Sequence, residues 1–235
     1  MKKNKEQSKQ KEFERYARQI FLIGNKHETL RKARVLILGL GGLGSPVAYY
    51  LAAAGINLGL LDRDKIGLEN LNRQILFTEK DVGKAKVIVA RKRLKELNKG
   101  IKIETYKLDL LKTNKKELKE IFSRYDVIVD CLDDLKAKFL AYELARALKK
   151  PFVYAAVEEL YGFQSTFMPN SKNKLEKIYK HRETTQCLSI IGPIAGFIAS
   201  FQALEVLKIL AGIGKINDKL LIFNGKENRI EFVEF

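Results

Sequence analysis

The sequence predicts an α/β protein: a Rossmann-like, doubly wound, mostly parallel sheet with an antiparallel C-terminal extension. Three observations carry this. Residues 35–64, "VLILGLGGLGSPVAYYLAAAGINLGLLDRD", read as an apolar strand, a glycine-rich turn, a small-residue helix and a second strand ending in acid. Strand-like and helix-like segments then alternate to about residue 157, as a sheet covered by helices on both faces requires. Near the end, two alternating segments flank "NGKEN" and read as a hairpin.

In chain order, "MKKNKEQSKQK" is Lys-rich with no apolar segment behind it, which predicts a solvated basic tail over 1–11 rather than a secretory signal or membrane anchor. "FERYARQIFL" has a short helical pattern, and "HETLRKA" leads into the first strand at Arg34–Leu38. Ser45 and Pro46 stand where a helix should begin, since Ser caps free amides and Pro suits the first helical position. Ala48, Ala52, Ala53 and Ala54 let that helix lie close to a sheet, and "INLGLLD" returns as a parallel strand through a right-handed crossover.

"GKAKVIVARKRLKEL" then has helical spacing with a basic outer face, placing Lys86 a turn into a helix. "IKIETYKL" alternates as a strand, "KKELKEIFSRY" is a short amphipathic helix, "DVIVDC" a buried strand, 135–149 a helix and "FVYAA" a strand. "YGFQSTFM" predicts a strand, 169–187 a polar, basic loop, and Pro193 to Leu210 a long core helix. We divide the chain into the tail, 1–11, and one domain, 12–235. Its nucleotide-binding half covers about 30–157 and its extension about 158–235.

Composition narrows the function. At 235 residues, 46% hydrophobic and 31% charged, the chain fits a soluble globular protein. "LSIIGPIAGFIASF" is too short to span a bilayer and runs into Gln202, Glu205 and Lys208, so no membrane role is expected. Two cysteines, Cys131 and Cys187, without a CxxC give neither a disulfide framework nor a cysteine-rich zinc site, and a cytoplasmic setting follows. The net charge of +16 fits solvated lysine faces, an acidic protein partner or a nucleic acid. The lysines lack aromatic interleaving and any recognisable RNA-binding signature.

Gly39, Gly41 and Gly44 fit GxGxxG between strand and helix, with Gly42 beside them. Lacking Cβ atoms, they let backbone amides and a helix N-terminus approach an anionic phosphate. Asp62 closes the next strand, where a carboxylate accepts from ribose hydroxyls. This much serves a nicotinamide cofactor, a flavin or ATP alike. The stretch "DRDKIGLENLNRQILF" adds Asp64, Asn70, Asn72, Arg73 and Gln74, with Lys86 beyond it. Arg73 and Lys86 match a polyphosphate and leave a nicotinamide-dependent oxidoreductase a remote alternative. Asp130, Asp133 and Asp134 in "VDCLDD" end a parallel strand, where a carboxylate can hold Mg²⁺ beside phosphates. His27 and His181, in charged surroundings, read as surface residues.

With these pieces the chain resembles the MoeB/ThiF/HesA group, relatives of the ubiquitin-activating enzymes. The matching stretches are "RYARQI", "GLGGLGSPVAYYLAAAGI", "LLDRDKIGLENLNRQILF", "VGKAKV", "VDCLDD" and "GPIAGFIASFQALEVLKILAG", covering residue 12 to the end. The resemblance implies an adenylyltransferase that binds Mg²⁺ and ATP. It would activate the C-terminal Gly-Gly carboxylate of a small β-grasp sulfur carrier, as a step toward thiocarboxylate for thiamine or molybdopterin synthesis. On this sequence, Gly39, Gly41, Gly42 and Gly44 would approach phosphates and Asp62 the ribose. Asp64, Asn70 and Gln74 would line the nucleotide site, Arg73 and Lys86 would meet the polyphosphate, and Asp130 would serve the metal. Arg18 corresponds to a residue reaching the other subunit's site, which implies a homodimer.

Two departures stand out. Relatives that hold structural zinc do so with two CxxC pairs, which this chain lacks, so no zinc is expected. Asp134 stands where Asn is the rule and adds charge near the expected metal. Cys187 precedes the long helix, where some relatives place a cysteine used in sulfur or thioester chemistry, possible with a sulfur donor protein. Activation of a carboxylate on modified tRNA, as in the TcdA-like branch, is the alternative that the positive charge suits.

Overall fold

The structure is a computed structural model that describes residues 2–179 and 189–235, with side chains described from residue 10 onward. Five strands, β1 (Arg34–Leu38), β2 (Asn57–Leu61), β3 (Ile103–Tyr106), β4 (Val127–Asp130) and β5 (Phe152–Glu158), pair in parallel. β6 (Tyr161–Phe167), β7 (Leu220–Asn224) and β8 (Arg229–Val233) follow antiparallel, giving the order β3-β2-β1-β4-β5-β6-β7-β8. The apolar runs of β1 and β4 are buried on both faces, as parallel strands under helices must be.

The two faces form separate cores, and β1 divides between them. Val35 and Ile37 pack with α3 (Gly44–Ala53), α4 (Lys86–Leu97) and α8 (Gly192–Ala211). Leu36 and Leu38 pack with α5 (Lys115–Ser123), α6 (Leu135–Ala147) and α7 (Leu175–Tyr179). The period-two alternation of a strand enforces this division. β1 and β4 are neighbours whose following helices, α3 and α6, leave to opposite faces, so a crevice opens at their carboxyl ends.

α8 is long and apolar enough by length and composition to cross a membrane, but half of its apolar window is buried. It packs on β6, where Gly162 is required because a Cβ there would lie 2.2 Å from Ile198 Cγ1. Gly212 ends the helix at φ 59°, a left-handed cap.

α1 (Lys2–Ile23) runs unbroken through "RYARQI" and takes in residues 2–11, of which the described side chains, Gln10 and Lys11, are exposed. Other expectations need correction. His27, at the start of α2 (Lys26–Lys32), is buried: its ring lies 4.6 Å from that of Tyr16, and Gln19 Nε2 sits 2.9 Å from its Nδ1. Its neighbours in sequence are charged, but helix docking hides it. The expected loop at 169–187 contains α7, held by Leu175 and Ile178 in the core. Lys86 opens α4 rather than standing a turn inside it. His181 and Cys187 lie outside the described residues.

Candidate nucleotide site

The turn after β1 divides its glycines into two kinds. Gly39 has φ 88° and approaches β4 so closely that a Cβ would lie 2.6 Å from the Cys131 carbonyl oxygen. A Cβ on Gly44 would lie 2.0 Å from the Gly39 oxygen. These two shape the turn. Gly41 and Gly42 are partly exposed, and beside them a Cβ would meet only Gln74 Nε2 at 3.8 Å, or Ala195 and the Arg73 stem at 3.3–3.7 Å. These two leave room.

Helix α3 begins at Gly44 without a side-chain cap, because the Ser45 hydroxyl donates back to the Leu40 oxygen at 3.2 Å. Ser45 therefore does not cap as the sequence suggested. In its first turn the Ser45 amide donates to the Gly41 carbonyl at 3.0 Å, Pro46 has no N–H and the Val47 amide donates to the Leu43 carbonyl at 3.3 Å, so the helix offers its positive end to the turn more than free amides.

Asp62 is buried and accepts from two backbone amides, Leu40 N to Oδ2 and Asp64 N to Oδ1, both at 2.7 Å. Burial pushes its pKa up, while Lys86 and the amides pull the other way. The carboxylate expected at the ribose thus also ties the glycine turn to β2. Its oxygens keep a second lone pair each for a ligand.

Lys86 is buried with its Nζ 3.5 Å from Asp64 Oδ2, and its amide is fixed by the Asp64 carbonyl at 3.1 Å. A 3-10 turn at Leu68–Asn70 leads into the polar cluster. Asn70 uses its Oδ1 on the Gly67 amide, so its side chain shapes this turn. Arg73 donates to the Glu69 carbonyl and to Asn72 Oδ1, both at 2.9 Å, with its stem against Gly42. Gln74 is buried beside Gly41, and its Oε1 has no partner among the described residues. The α8 N-terminus closes the other side, since a Cβ on Gly192 would lie 2.8 Å from the Asn72 oxygen. Glycine turn, polar cluster and the first turns of α3, α4 and α8 therefore converge.

The acids of "VDCLDD" separate by role. Asp130 is fully buried: Oδ1 accepts from Leu132 N at 3.1 Å and Oδ2 from Lys138 Nζ at 2.9 Å. Burial pushes the Asp130 carboxyl up against the pull of Lys138, and the Asp130 carboxylate raises the Lys138 ammonium above the usual lysine range against the effect of burial. Asp134 caps α6 through the Ala137 amide at 2.8 Å, so its charge goes to a helix N-terminus rather than to a metal. Asp133 is exposed. Among the described residues no group of three or more His, Cys, Asp or Glu side chains could hold a metal. Cys131 is buried, and burial pushes its thiol well up. Arg18 is exposed on α1, without an ion pair among the described residues.

Sequence reasoning missed Lys138 and Gln202. Gln202 of α8 donates to the carbonyls of Asp130 at 2.8 Å and Val153 at 3.1 Å, pinning the end of β4. A lysine on the apolar face of a helix eight residues after a strand-end acid was the available signal for the first.

The fold and this crevice define a Rossmann-like protein with an open glycine turn at its switch point. The ThiF family model matches residues 16–235, and the chain belongs to the ThiF family. It is 36% identical over 228 residues to "Adenylyltransferase and sulfurtransferase MOCS3" of Culex quinquefasciatus, covering 92% of this chain but about half, 51%, of that relative. It is 34% identical to the "Sulfur carrier protein adenylyltransferase" of Thermus thermophilus, covering 92% of this chain and 84% of that protein. The match to the "Sulfur carrier protein ThiS adenylyltransferase" of Escherichia coli is 33% identical, covering 93% and 90% respectively. Two solved structures share the fold: PaaA, at TM-score 0.81, 24% identity and coverage of 95% and 73%; and E. coli MccB with ATP, at 0.80, 23% and coverage of 94% and 71%.

Proposed function

We propose that this chain is an ATP-dependent adenylyltransferase that activates the C-terminal Gly-Gly carboxylate of a small β-grasp sulfur carrier. The observation that carries this reading is the placement of the Arg73 stem against Gly42 and of the Gln74 amide beside Gly41, with Lys86 at Asp64, next to the Asp62 carboxylate that holds the turn. The names of the Thermus and E. coli relatives, which the chain spans almost fully, support the carrier as substrate.

The chemistry follows from the side chains. The substrate carboxylate, already ionised, attacks the α-phosphorus of ATP, the bond to the β-phosphate oxygen breaks, and pyrophosphate leaves. No general base is required, and the buried His27 beneath α1 takes no part. The positive end of α3 and the open backbone at Gly41 and Gly42 orient the phosphates. The Lys86 ammonium and Arg73 guanidinium offset charge gathering on phosphate oxygens, a task that alignment and fixed cations perform. Asp62 and Asp64 stand on the ribose side of the turn.

Mg²⁺ binds through one or two carboxylates plus phosphates, but Asp130 is fully buried with its oxygens engaged by Leu132 N and Lys138 Nζ, so the acid expected to serve the metal does not present a ligand to it in this structure. When bound, the ion neutralises β- and γ-phosphate charge.

Partners follow from exposed surface. Tyr50, Ile75, Ile191 and Leu204 are large apolar side chains at the surface around α3, the polar cluster and α8, which fits a homodimer into which Arg18 reaches. On edge strand β8, Ile230, Phe232 and Val233 are exposed and suit carrier docking in the 158–235 extension. We read the enzyme as cytoplasmic. A second reading, a carboxylate on modified tRNA, is favoured by residues 85–102, where seven Lys and Arg face one Glu.

ATP–pyrophosphate exchange with a panel of Gly-Gly-ended carriers and with total tRNA tests both. Exchange that depends on one carrier and vanishes in folded Arg73→Ala and Lys86→Ala supports the first reading. Exchange on tRNA alone selects the second, and exchange unchanged in both variants rejects the site.

A further inference from the structure

The positive charge of the chain is concentrated in one stretch. Residues 84–119 hold thirteen Lys and Arg against four Asp and Glu, so 36 of the 235 residues carry +9 of the net +16. Outside them and the N-terminal 1–11 the signs nearly balance, 26 against 23. In the fold this stretch runs from α4 on one face, through β3, to α5 on the other, and β3 is a free edge strand of the sheet. The basic residues therefore wrap one edge of the protein.

Much of that charge is unspent. Glu104 and Asp109, two of the four acids, are paired with Arg34 and Arg63 from outside the stretch. Arg91 and Lys92 on α4, Lys99 beyond its end, and Lys115, Lys116 and Lys119 on α5 are exposed and make no ion pair among the described residues. The three α5 lysines share one open groove of about 400 Å³ with Glu120 and Ser123. Arg91 and Lys95, and Lys115 and Lys119, stand four apart on their helices, a spacing at which like charges repel. Lysines beside a free edge deter pairing with foreign strands, which accounts for Lys102 and Lys107 around β3. It does not account for the cations on the helices.

We propose that this edge binds double-stranded RNA through its phosphate backbone. A protein partner would call for an apolar, aromatic centre from which lysine is depleted. Here the exposed large apolar side chains are Ile88, Leu97 and Leu111, and no aromatic is exposed. A single strand would need aromatic platforms for its bases, and the stretch has only Tyr106, half-buried with its hydroxyl on Glu104 and Tyr125. What remains is a surface that offers charge alone, spread over two helices and the strand between them. Duplex RNA is held that way, by backbone and shape, because its major groove is too narrow for side chains to read. The inference goes beyond both readings of the crevice, since it concerns where a polyanion rests and not which carboxylate reacts.

The test is fluorescence anisotropy of the full chain, without ATP or carrier, on a labelled RNA duplex of arbitrary sequence and about 20 base pairs. Six cations on phosphates should lose about 10³-fold in affinity between roughly 50 and 200 mM salt. Arg91→Ala, Lys92→Ala and Lys99→Ala combined, and separately Lys115→Ala, Lys116→Ala and Lys119→Ala combined, should each flatten the log–log salt slope by about three. Lys172→Ala, Lys174→Ala and Lys215→Ala combined, three exposed lysines away from the edge, should leave slope and affinity unchanged. A slope that falls equally in all three variants would mean a general polycation and overturn the edge. So would no binding, or binding of poly-glutamate as tight as that of the duplex. Tighter binding of single-stranded RNA or of duplex DNA than of duplex RNA overturns the choice of ligand. Because neither ATP nor carrier is present, failure here leaves the adenylyltransferase reading standing, and failure of pyrophosphate exchange leaves the edge standing.

Discussion

Asp62→Asn separates the two tasks the structure gives that residue. The carboxylate accepts from Leu40 N and Asp64 N at 2.7 Å each, one oxygen per amide. An asparagine has one acceptor oxygen, so its amide nitrogen must face a backbone N–H, and a buried donor loses its partner. A hydrogen bond to a charged acceptor contributes about 1.5–3 kcal/mol, and a buried unmet donor costs about 1–3 kcal/mol. Desolvation of the buried charge, the main cause of the raised Asp62 pKa, works in the other direction and trims the sum. The net expectation is a loss of about 3 kcal/mol, against roughly 5–15 kcal/mol for a whole domain. With a urea slope of about 1–3 kcal/mol per molar, the unfolding midpoint should fall by roughly 1–3 M at unchanged slope. Nucleotide affinity should fall with it, because the amides of the glycine turn lose their anchor. A midpoint shift below about 0.2 M would refute the argument that this carboxylate holds the turn, leaving it a ligand group only.

Two further expectations concern the frame. Gly44→Ala should cost about 3 kcal/mol or block folding, since the new Cβ falls 2.0 Å from the Gly39 oxygen and that atom belongs to the turn itself; urea unfolding measures it. His27 has its pKa lowered from 6.5, first by burial and then by Arg31, so the folded state favours the neutral ring. The stability this contributes is present above 6.5 and is lost as the pH falls through that value, so between pH 7 and about pH 5 the melting temperature should drop more steeply in wild type than in His27→Gln.

The strand alternation was legible because its physics is local. Buried parallel strands are short β-branched or leucine-rich runs, and "VLIL", "VIVD" and "FVYAA" declare themselves whatever surrounds them. The glycine turn and its strand-to-helix frame were legible for the same reason. What the sequence hid depends on packing between distant segments. His27 looks solvated among Lys26, Glu28 and Arg31, and only the docking of α1 over α2 buries it. The segment 2–11 has no apolar face of its own, and its helix is continuous with the part that Tyr16 and Ile23 anchor. Lys138 was invisible as a partner because the pair spans β4, α6 and β5.

The candidate site itself shows why a motif locates chemistry better than it assigns it. Of its polar residues, Asp62, Asn70 and Asp134 use their oxygens on nearby backbone amides at 2.7–3.1 Å, and Asp130 is consumed by Lys138. Such residues look like ligand groups in the sequence because the same short, charged side chains suit both tasks. Arg73 and Lys86 differ: their partners are a carbonyl, an amide oxygen and an acid 3.5 Å away, none of which saturates a cation. Gln74 retains an oxygen with no partner among the described residues. A frame built by acids and a face left to cations is the division that a polyanionic substrate requires, because fixed positive charge stabilises a transferring phosphoryl group only if it has not already been neutralised. This excess of unspent cation, more than the glycines, is what favours ATP over a nicotinamide cofactor in the crevice.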